Sequence, residues 1–262
     1  MSDPRIGAHP SSRWVVGDSA VDLTRSEARE VTRVRLAAEP RDVVVDLGRT
    51  AVVVVDMQND FCADGGFLHR AGVDCGPARA LIEPINALNE ALRARGVPVI
   101  WLNWAVRGDR LNMPPSMPDL HRYYPGGQRG ADAAVEAVIP GKGGWGAFEG
   151  SWGAELVDGL LVREGDLHVR KNRFSGFFQT ELDSVLRGMD VRTLLFAGVA
   201  MDICVLATLQ DAMFLGYDAV MLRDCVATNS PEFCVQAAGW QVTQLYGFMS
   251  SAAAVREGLA SA

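Results

Sequence analysis

The sequence predicts an α/β fold of three layers, α/β/α, with a central, mostly parallel six-stranded sheet between two layers of helices. Short apolar runs alternate with longer helical stretches over about 200 residues, which is typical of a parallel sheet with helices on both faces. The runs are continuously apolar rather than alternating, as expected for strands that are buried on both sides.

Five of the apolar runs are clear strands, and a sixth is weaker. The clear runs are AVVVV (51–55), VPVIWLN (97–103), DLHVR (166–170), TLLFAGV (193–199) and DAVMLRD (218–224), and the weaker one is TQLYGF (243–248). Their lengths suit strands in the middle of a sheet.

Two stretches between the strands carry helix signals at their ends. The stretch 78–96 has arginines in its last turn and closes with Gly96, as a helix C-terminus prefers. The stretch 180–188 opens with Thr180 and Asp183 in a spacing that resembles a capping box, with Asp in place of Glu. Both stretches are predicted to be helices that cover the sheet.

The chain is predicted to consist of an N-terminal arm, residues 1–48, and one α/β domain, residues 49–262. The arm has weak periodicity and charges of both signs, so it is either a solvated, partly helical tail or an arm that lies across a neighbouring subunit. The segment 104–150 interrupts the alternation, and a loop of this length is typical of a lid or binding loop, or of disorder. Five aromatic residues favour the lid: Tyr123, Tyr124, Trp145, Phe148 and Trp152.

Composition excludes several classes of function. The chain has 262 residues, a formal net charge of −7 and 48% hydrophobic residues. An acidic chain without clusters of Lys and Arg is not expected to bind nucleic acid or an anionic membrane. No apolar run approaches the roughly 20 residues of a membrane span, and the N-terminus lacks the apolar stretch of a signal peptide. We therefore expect a cytoplasmic protein with no nucleic-acid or membrane partner.

The cysteines and the missing motifs indicate chemistry without a metal or cofactor. The chain has five cysteines, an odd number, with no CxxC pair and no zinc-type spacing. A phosphate-binding loop, a G-x-G-x-x-G fingerprint and the G-x-S-x-G motif of serine hydrolases are all absent from the sequence. We therefore expect neither a cofactor nor a metal ion.

Three reactive side chains follow predicted strands, at the edge where open α/β sheets bind ligands. Asp56 follows the first run, Lys171 the third and Cys204 the fourth, where Cys204 begins a predicted helix over 203–216. A helix N-terminus and a nearby ammonium lower a thiol pKa, so Cys204 is expected to be a thiolate nucleophile. Each residue taken alone has an ordinary alternative, namely a capping carboxylate, a solvated lysine and a thiol packed in the core.

Three motifs in order give the chain a family resemblance. VVVVDMQNDFC (52–62), VRKNRFSGF (169–177) and GVAMDICV (198–205) resemble the isochorismatase-like cysteine hydrolases, and the likeness extends over about residues 50–250. The resemblance implies a Rossmann-like strand order, a homo-oligomer (dimer or tetramer) and hydrolysis of small amides or ureas.

The resemblance also implies roles for particular residues. Asp56 would be the general base, Lys171 would stabilise the thiolate and orient the carboxylate, and Cys204 would attack the carbonyl carbon. It further implies a cis peptide bond between Val199 and Ala200. The backbone N–H groups of Ala200 and Cys204 would then form the oxyanion hole.

Within the family, the sequence favours a ureido (N-carbamoyl) substrate. Similarity to enzymes that hydrolyse ureidoacrylate lies in GGFLHRAGVD (65–74), GSWGAELVDGL (150–160) and KNRFSGFFQTELDSVLR (171–187). Biuret and triuret hydrolases share the DMQxDFC opening and the nucleophile turn, and they remain the alternative. Nicotinamidases carry an Asp-x-His-x-x-His metal site after the second strand, where this chain has LNWAVRGDRLN (102–112).

Residues next to the reactive groups are candidates for binding the substrate: Phe61, Asn103, Trp104, Arg173, Phe174 and Phe177. Asn103 offers an amide to a urea group, and Arg173 or Arg107 offers a cation to a substrate carboxylate. The alternative is core packing for the aromatic residues and solvation for the arginines.

Two other functions would use the same fold: a non-catalytic scaffold, and a vinyl ether hydrolase, which uses no cysteine nucleophile. The presence of Asp56, Lys171 and Cys204 argues against both.

Overall fold

The computed structural model describes residues 5–6, 9, 13–24, 30–113 and 147–262. The strands are β1 (Arg5–Ile6), β2 (Trp14–Val16), β3 (Val21–Asp22), β4 (Arg33–Leu36), β5 (Val43–Asp46), β6 (Thr50–Val55), β7 (Val99–Trp104), β8 (Leu167–Lys171), β9 (Thr193–Val199), β10 (Asp218–Ala227) and β11 (Phe248–Ser250). The α-helices are α1 (Asn59–Cys62), α2 (Phe67–Arg70), α3 (Gly76–Arg79), α4 (Ile82–Arg93), α5 (Leu182–Gly188), α6 (Leu206–Phe214), α7 (Glu232–Gln241) and α8 (Ala252–Ala260). Leu47–Arg49 and Trp152–Ala154 form 3₁₀ turns, and Met201–Val205 and Val242–Tyr246 are π-helical.

The central sheet has six strands in the order β11-β10-β9-β6-β7-β8, and every pairing between them is parallel. The chain builds β6, β7 and β8 toward one edge, then returns to place β9 beside β6 and continues to the other edge. The strand order therefore reverses between β6 and β9. In open α/β sheets, ligands bind outside the carboxyl ends of the strands at such a switch point.

Two apolar layers cover the sheet, which confirms the predicted α/β/α architecture. On one face α5 and α6 pack through Leu182, Leu186, Leu206 and Leu209. On the other face α4 and α8 pack through Ile85, Leu88, Val255 and Leu259. Every residue of β6 and β9 is buried, so these two strands form the centre of the core, as their continuous apolar runs predict.

The sixth strand lies later in the chain than predicted. Residues 242–246 continue α7 as a π-helical segment, and the strand begins at Phe248. The chain comes very close to β10 just before this strand, because a Cβ atom at Gly247 would lie 2.2 Å from the Ala219 carbonyl oxygen. A glycine at this position therefore allows the chain to enter the sheet at Phe248.

The predicted helices also have different starts. The stretch 78–96 contains the end of α3 and all of α4, which are separate helices. The helix α5 begins at Leu182, whose amide donates to the Thr180 hydroxyl at 3.1 Å. Asp183 does not complete a capping box but accepts hydrogen bonds from Arg187 and Tyr217.

Part of the N-terminal segment belongs to the core. β4 and β5 form an antiparallel hairpin whose Val34, Leu36 and Val45 are buried against the layer that contains α8. The expectation of a solvated, partly helical tail is therefore wrong for residues 33–46. Earlier in the chain, β1, β2 and β3 form a three-stranded sheet of their own. Whether it lies across a neighbouring subunit stays a prediction.

Most of the predicted lid, residues 114–146 with Tyr123, Tyr124 and Trp145, lies outside the described residues. The two described ends of this segment meet, because Val106 forms a parallel bridge with Phe148. Among the described helices, none is long and apolar enough to cross a membrane.

Candidate active site

A buried ion pair lies at the switch point of the sheet. Lys171 Nζ is 2.7 Å from Asp56 Oδ2, and the two side chains are 0% and 2% exposed. The charges of Asp56 and Lys171 both influence the pKa of the Cys204 thiol, which places that thiol near the pair. The structure thus shows the Asp56–Lys171 pair directly, at the edge where the sequence predicts the three side chains.

The backbone after β6 turns the Asp56 carboxylate into this position. Asp56 has a left-handed conformation with φ of 51°, which Asp adopts more readily than most residues. On the neighbouring strand, Gly198 has φ of 103°, and a Cβ atom there would lie 2.1 Å from the Val55 carbonyl oxygen. Only glycine therefore allows β9 to pass this close to the residue before Asp56.

Cys204 lies in the π-helical segment Met201–Val205, two residues before α6 begins. The amides of Ile203 and Val205 both donate to the Ala200 carbonyl at 3.1 Å, and the Thr208 hydroxyl donates to the Cys204 carbonyl at 2.7 Å. The predicted α-helix over 203–216 is thus a π turn followed by a shorter helix. The peptide bond between Val199 and Ala200 is cis, as the resemblance implies.

Burial dominates the electrostatics of the two proton-carrying groups. It raises the pKa of the Asp56 carboxyl above its ordinary value, and the charge of Lys171 opposes this effect. Burial likewise raises the pKa of the Cys204 thiol, again against Lys171. The pKa of Cys204 is thus raised rather than lowered as the sequence predicts, because desolvation of the sulfur outweighs the ammonium. That Cys204 acts as a thiolate nucleophile stays a prediction.

Aromatic and carbonyl groups surround the ammonium of Lys171. Its Nζ lies 4.3 Å from the centre of the Trp104 ring and donates to the Arg173 carbonyl at 3.2 Å. The ring of Phe174 is 5.9 Å from that of Trp104. Trp104 and Phe174, two predicted substrate-binding residues, thus form one wall beside the ion pair.

Gln58 holds this wall in place. Its side chain is fully buried, donates to the carbonyls of Trp104 (2.9 Å) and Ala154 (2.7 Å), and accepts from the Trp104 amide at 2.8 Å. Both backbone polar groups of Trp104 are therefore bound by one side chain. Sequence reasoning missed this role, although Gln58 lies in the motif that carries Asp56.

The neighbouring Asn59 and Asp60 bind the segment that follows the predicted lid. The Asn59 amide group donates to the Trp152 carbonyl at 2.8 Å, and Asp60 accepts from the Ala147 and Phe67 amides at 2.9 Å each. Burial raises the pKa of Asp60. The short helix α1 therefore fastens the end of that segment to the carboxyl edge of the sheet.

The other predicted substrate-binding residues have mixed placements. Phe61 is half-buried in α1 and packs against both apolar layers. Asn103 is half-buried, and its Oδ1 has no hydrogen-bond partner in the part of the chain that the structure describes. Because consecutive strand residues point to opposite faces, Asn103 lies on the other side of β7 from Trp104.

Phe177 is not part of this wall. Its ring stacks on Tyr217 at 5.7 Å, and Tyr217 precedes β10, at the amino end of the sheet. The expectation that Phe177 lines the substrate pocket is thus replaced by packing of its ring on Tyr217, in the loop before β10.

The two candidate arginines differ in how they are bound. Arg173 Nη1 donates to the carbonyls of Asn112 (2.7 Å) and Asn172 (2.8 Å), and its guanidinium lies 5.6 Å from the centre of the Phe178 ring. Arg107 is exposed and forms a two-pronged ion pair with Asp109. A carboxylate on its own turn therefore already neutralises Arg107, which leaves Arg173 as the better candidate.

Comparison with known proteins gives a consistent result. Residues 50–254 match the family model described as "Isochorismatase domain". The chain belongs to the isochorismatase family.

Relatives in this family share much of the chain. The chain is 36% identical to ureidoacrylate amidohydrolase RutB of Azorhizobium caulinodans over 226 residues, which are 86% of this chain and 96% of the relative. It is 35% identical to the RutB protein of Klebsiella variicola over 219 residues, 83% and 89% of the two chains. A solved cysteine hydrolase from Pseudomonas syringae pv. phaseolicola aligns with a TM-score of 0.69 at 26% identity, covering 90% of this chain and 99% of that one.

Other polar groups of this isochorismatase-family site were not predicted. Asp202 lies two residues before Cys204, and its Oδ1 is buried without a hydrogen-bond partner among the described residues. Asn172 accepts from Arg173 at 2.9 Å through its side-chain oxygen. In the part of the chain that the structure describes, no group of three or more His, Cys, Asp or Glu side chains is placed to hold a metal ion.

We expect Gln58→Leu to destabilise the protein by about 3 kcal/mol or more, because it leaves three backbone groups, two of them buried, without these hydrogen bonds. It should also lower kcat, since Trp104 loses the contacts that hold it against Lys171. Urea denaturation and steady-state kinetics measure the two effects.

Asn89→Leu is the matched control. Asn89 is also a fully buried amide, but its side chain has no hydrogen-bond partner in the described part of the chain. This variant should be within about 1 kcal/mol of the parent or more stable. Equal losses of stability in the two variants would contradict the role assigned to Gln58.

Proposed function

We propose that the chain is a cysteine-dependent amidohydrolase that cleaves a C–N bond of a small ureido compound such as ureidoacrylate. The observation that carries this proposal is the buried Asp56–Lys171 pair at the switch point of the sheet, whose charges influence the pKa of the Cys204 thiol. The two relatives named as ureidoacrylate amidohydrolases support the substrate class.

The first half of the proposed reaction acylates the cysteine. As the sulfur of Cys204 attacks the ureido carbonyl carbon, its proton passes to the Asp56 carboxylate. The raised pKa of Asp56 suits a group that must hold this proton until the C–N bond breaks. Asp56 then gives the proton to the departing amine nitrogen, and a thioester-type intermediate remains on Cys204.

The second half releases the acyl group. Asp56, again a carboxylate, takes a proton from a water molecule as the oxygen of that water attacks the same carbonyl carbon. The C–S bond breaks, and the proton returns to sulfur. The ammonium of Lys171 stabilises the carboxylate and the developing thiolate, since it lies 2.7 Å from Asp56 and lowers the pKa of Cys204.

The oxyanion of both tetrahedral intermediates requires donors next to the sulfur. We assign this role to the backbone N–H groups of Ala200 and Cys204. The π turn supports the assignment, because the amides on either side of Cys204 bind the Ala200 carbonyl and fix the orientation of the peptide units between them. One such donor is typically worth about 3 kcal/mol in the transition state.

Two features bear on the partners and the compartment. All five cysteines are free thiols, which fits the cytoplasmic location that we propose. We also propose that the chain forms a homo-oligomer, as its family resemblance implies.

Cys204→Ser is expected to lower kcat by at least a thousandfold while the far-ultraviolet spectrum and melting temperature stay close to those of the parent. A hydroxyl cannot replace the thiol, because its proton is far harder to transfer to Asp56. The measurement is ammonia release from ureidoacrylate, with excess EDTA present to exclude adventitious metal.

Cys234→Ser is the control, since Cys234 is a half-buried thiol on α7 and takes no part in the proposed reaction. Activity of Cys204→Ser within tenfold of the parent would contradict the role of Cys204 as the nucleophile. Absence of ammonia release by the parent would favour the scaffold or vinyl ether alternatives.

The pH dependence of kcat/KM tests the proton transfer. Activity requires Asp56 without its proton, and because burial raises its pKa, the acidic fall should lie above the ordinary aspartate range of about 4. On the alkaline side the plateau should extend past about 8.5, the ordinary cysteine pKa, because burial keeps the thiol protonated. A rise in activity through pH 8.5 would instead indicate that an ordinary thiol must ionise first.

Arg173→Met tests whether the site binds a carboxylate of the substrate. We expect it to raise KM for ureidoacrylate at least tenfold and KM for neutral biuret less than threefold. Only ureidoacrylate has a carboxylate, so only its complex loses a charged hydrogen bond. Arg187→Met, which removes an exposed arginine paired with Asp183, is the control. Equal effects on both substrates, or biuret as the better substrate of the parent, would favour the biuret or triuret alternative.

A further inference from the structure

Helix α7 is poorly covered by the rest of the chain. Of its ten residues, only Ala238 is buried. Phe233 is 69% exposed and Trp240 is 60% exposed, and Leu245 in the π-helical segment that follows is 54% exposed. A helix of a folded domain normally buries an apolar stripe against a neighbour, so this face of α7 lacks a neighbour among the described residues.

An adjacent helix extends the same surface. Phe214, at the end of α6, is 68% exposed, and its ring lies 6.1 Å from that of Tyr246. We call Phe214, Phe233, Trp240 and Leu245 the α7 patch. Helix α7 also contacts the π-helical segment that carries Cys204.

The charge of the chain favours a second copy as the occupant of the α7 patch. The segment 233–248, FCVQAAGWQVTQLYGF, contains no charged residue, although the whole chain has a net charge of −7. Two copies repel each other over most of an acidic surface, whereas an uncharged surface can face itself without that cost.

The spacing along α7 suits self-association. Phe233, Ala237 and Trp240 are all exposed and lie at positions i, i+4 and i+7, which form one stripe on a helix. The small Ala237 lies between two large aromatic residues. Across a two-fold axis, the aromatic residues of one helix can therefore pack over the small residue of its antiparallel mate.

The exposed area is close to what a dimer requires. At roughly 200 Å² per large aromatic side chain, the three aromatic side chains of the α7 patch, each more than half exposed, present about 400 Å² per copy. Leu245 and Ala237 add to this area, which brings two copies close to the roughly 1,000 Å² of a specific interface. We propose that the α7 patch is the two-fold interface between copies of this chain, with the two α7 helices antiparallel.

Trp240→Glu tests the interface, because it places two like charges opposite each other across the two-fold axis. Sedimentation velocity at 1–50 μM, run with melting curves, should show that the variant is folded and that its assemblies are half the size of the parent's. Val44→Glu is the matched control, since Val44 on β5 is 59% exposed and lies outside the α7 patch. It should sediment like the parent.

Ala237→Cys gives a second, independent readout. Under mild oxidation it should form a covalent dimer on a non-reducing gel, and Val44→Cys and the parent should not. An unchanged assembly state in Trp240→Glu, or cross-linking of Ala237→Cys no faster than Val44→Cys, would overturn the proposal. A monomeric parent would also overturn it and would assign the α7 patch to the N-terminal segment or another protein. None of these measurements depends on catalysis, so their failure is distinguishable from failure of the proposed function.

Discussion

The buried Asp56–Lys171 ion pair is the constraint around which the carboxyl edge of the sheet is built. Removing two opposite charges from water costs several kcal/mol per ion unless the geometry and the remaining contacts compensate. Here the pair is 2.7 Å apart, the Trp104 ring lies over the ammonium, and the Arg173 carbonyl accepts one of its protons. Breaking the pair would leave an uncompensated charge at the centre of the core, so the fold and the site depend on the same contact.

The topology of the sheet explains why residues so distant in sequence meet. Asp56 ends the strand on one side of the switch point, and Cys204 follows the strand on the other side, while Lys171 reaches them from β8 along the same face as Trp104. Gly198 allows the two central strands to approach closely where the carboxylate turns inward. The reaction that we propose therefore requires only three side chains and the backbone that holds them.

Sequence reasoning predicted the strands and the placement of Asp56, Lys171 and Cys204 at or after their ends, because both depend on local pattern. The buried runs of β6 and β9 are visible as uninterrupted apolar residues, and the motifs place Asp56 and Cys204 at their ends. It failed where long-range packing decides. Gln58 binds Trp104 across 46 positions of the chain, Phe177 turns to Tyr217, and the degree of burial that reverses the expected pKa of Cys204 is set by the whole surrounding core.

Sequence reasoning missed the hairpin of β4 and β5 for a different reason. The run RVRL alternates charged and apolar residues, but it is too short to distinguish from a solvated tail.

The raised pKa of the Cys204 thiol has a consequence for the proposed reaction. A free thiolate is open to oxidation and alkylation at all times, whereas a buried thiol is not reactive until its proton is taken. Burial favours the proton on sulfur, and the raised pKa of Asp56 makes this carboxylate a better acceptor for it when a carbonyl group arrives to receive the developing charge. Lys171 then stabilises whichever of the two groups is negative. The low dielectric that opposes a resting thiolate thus strengthens the interaction that the transition state requires.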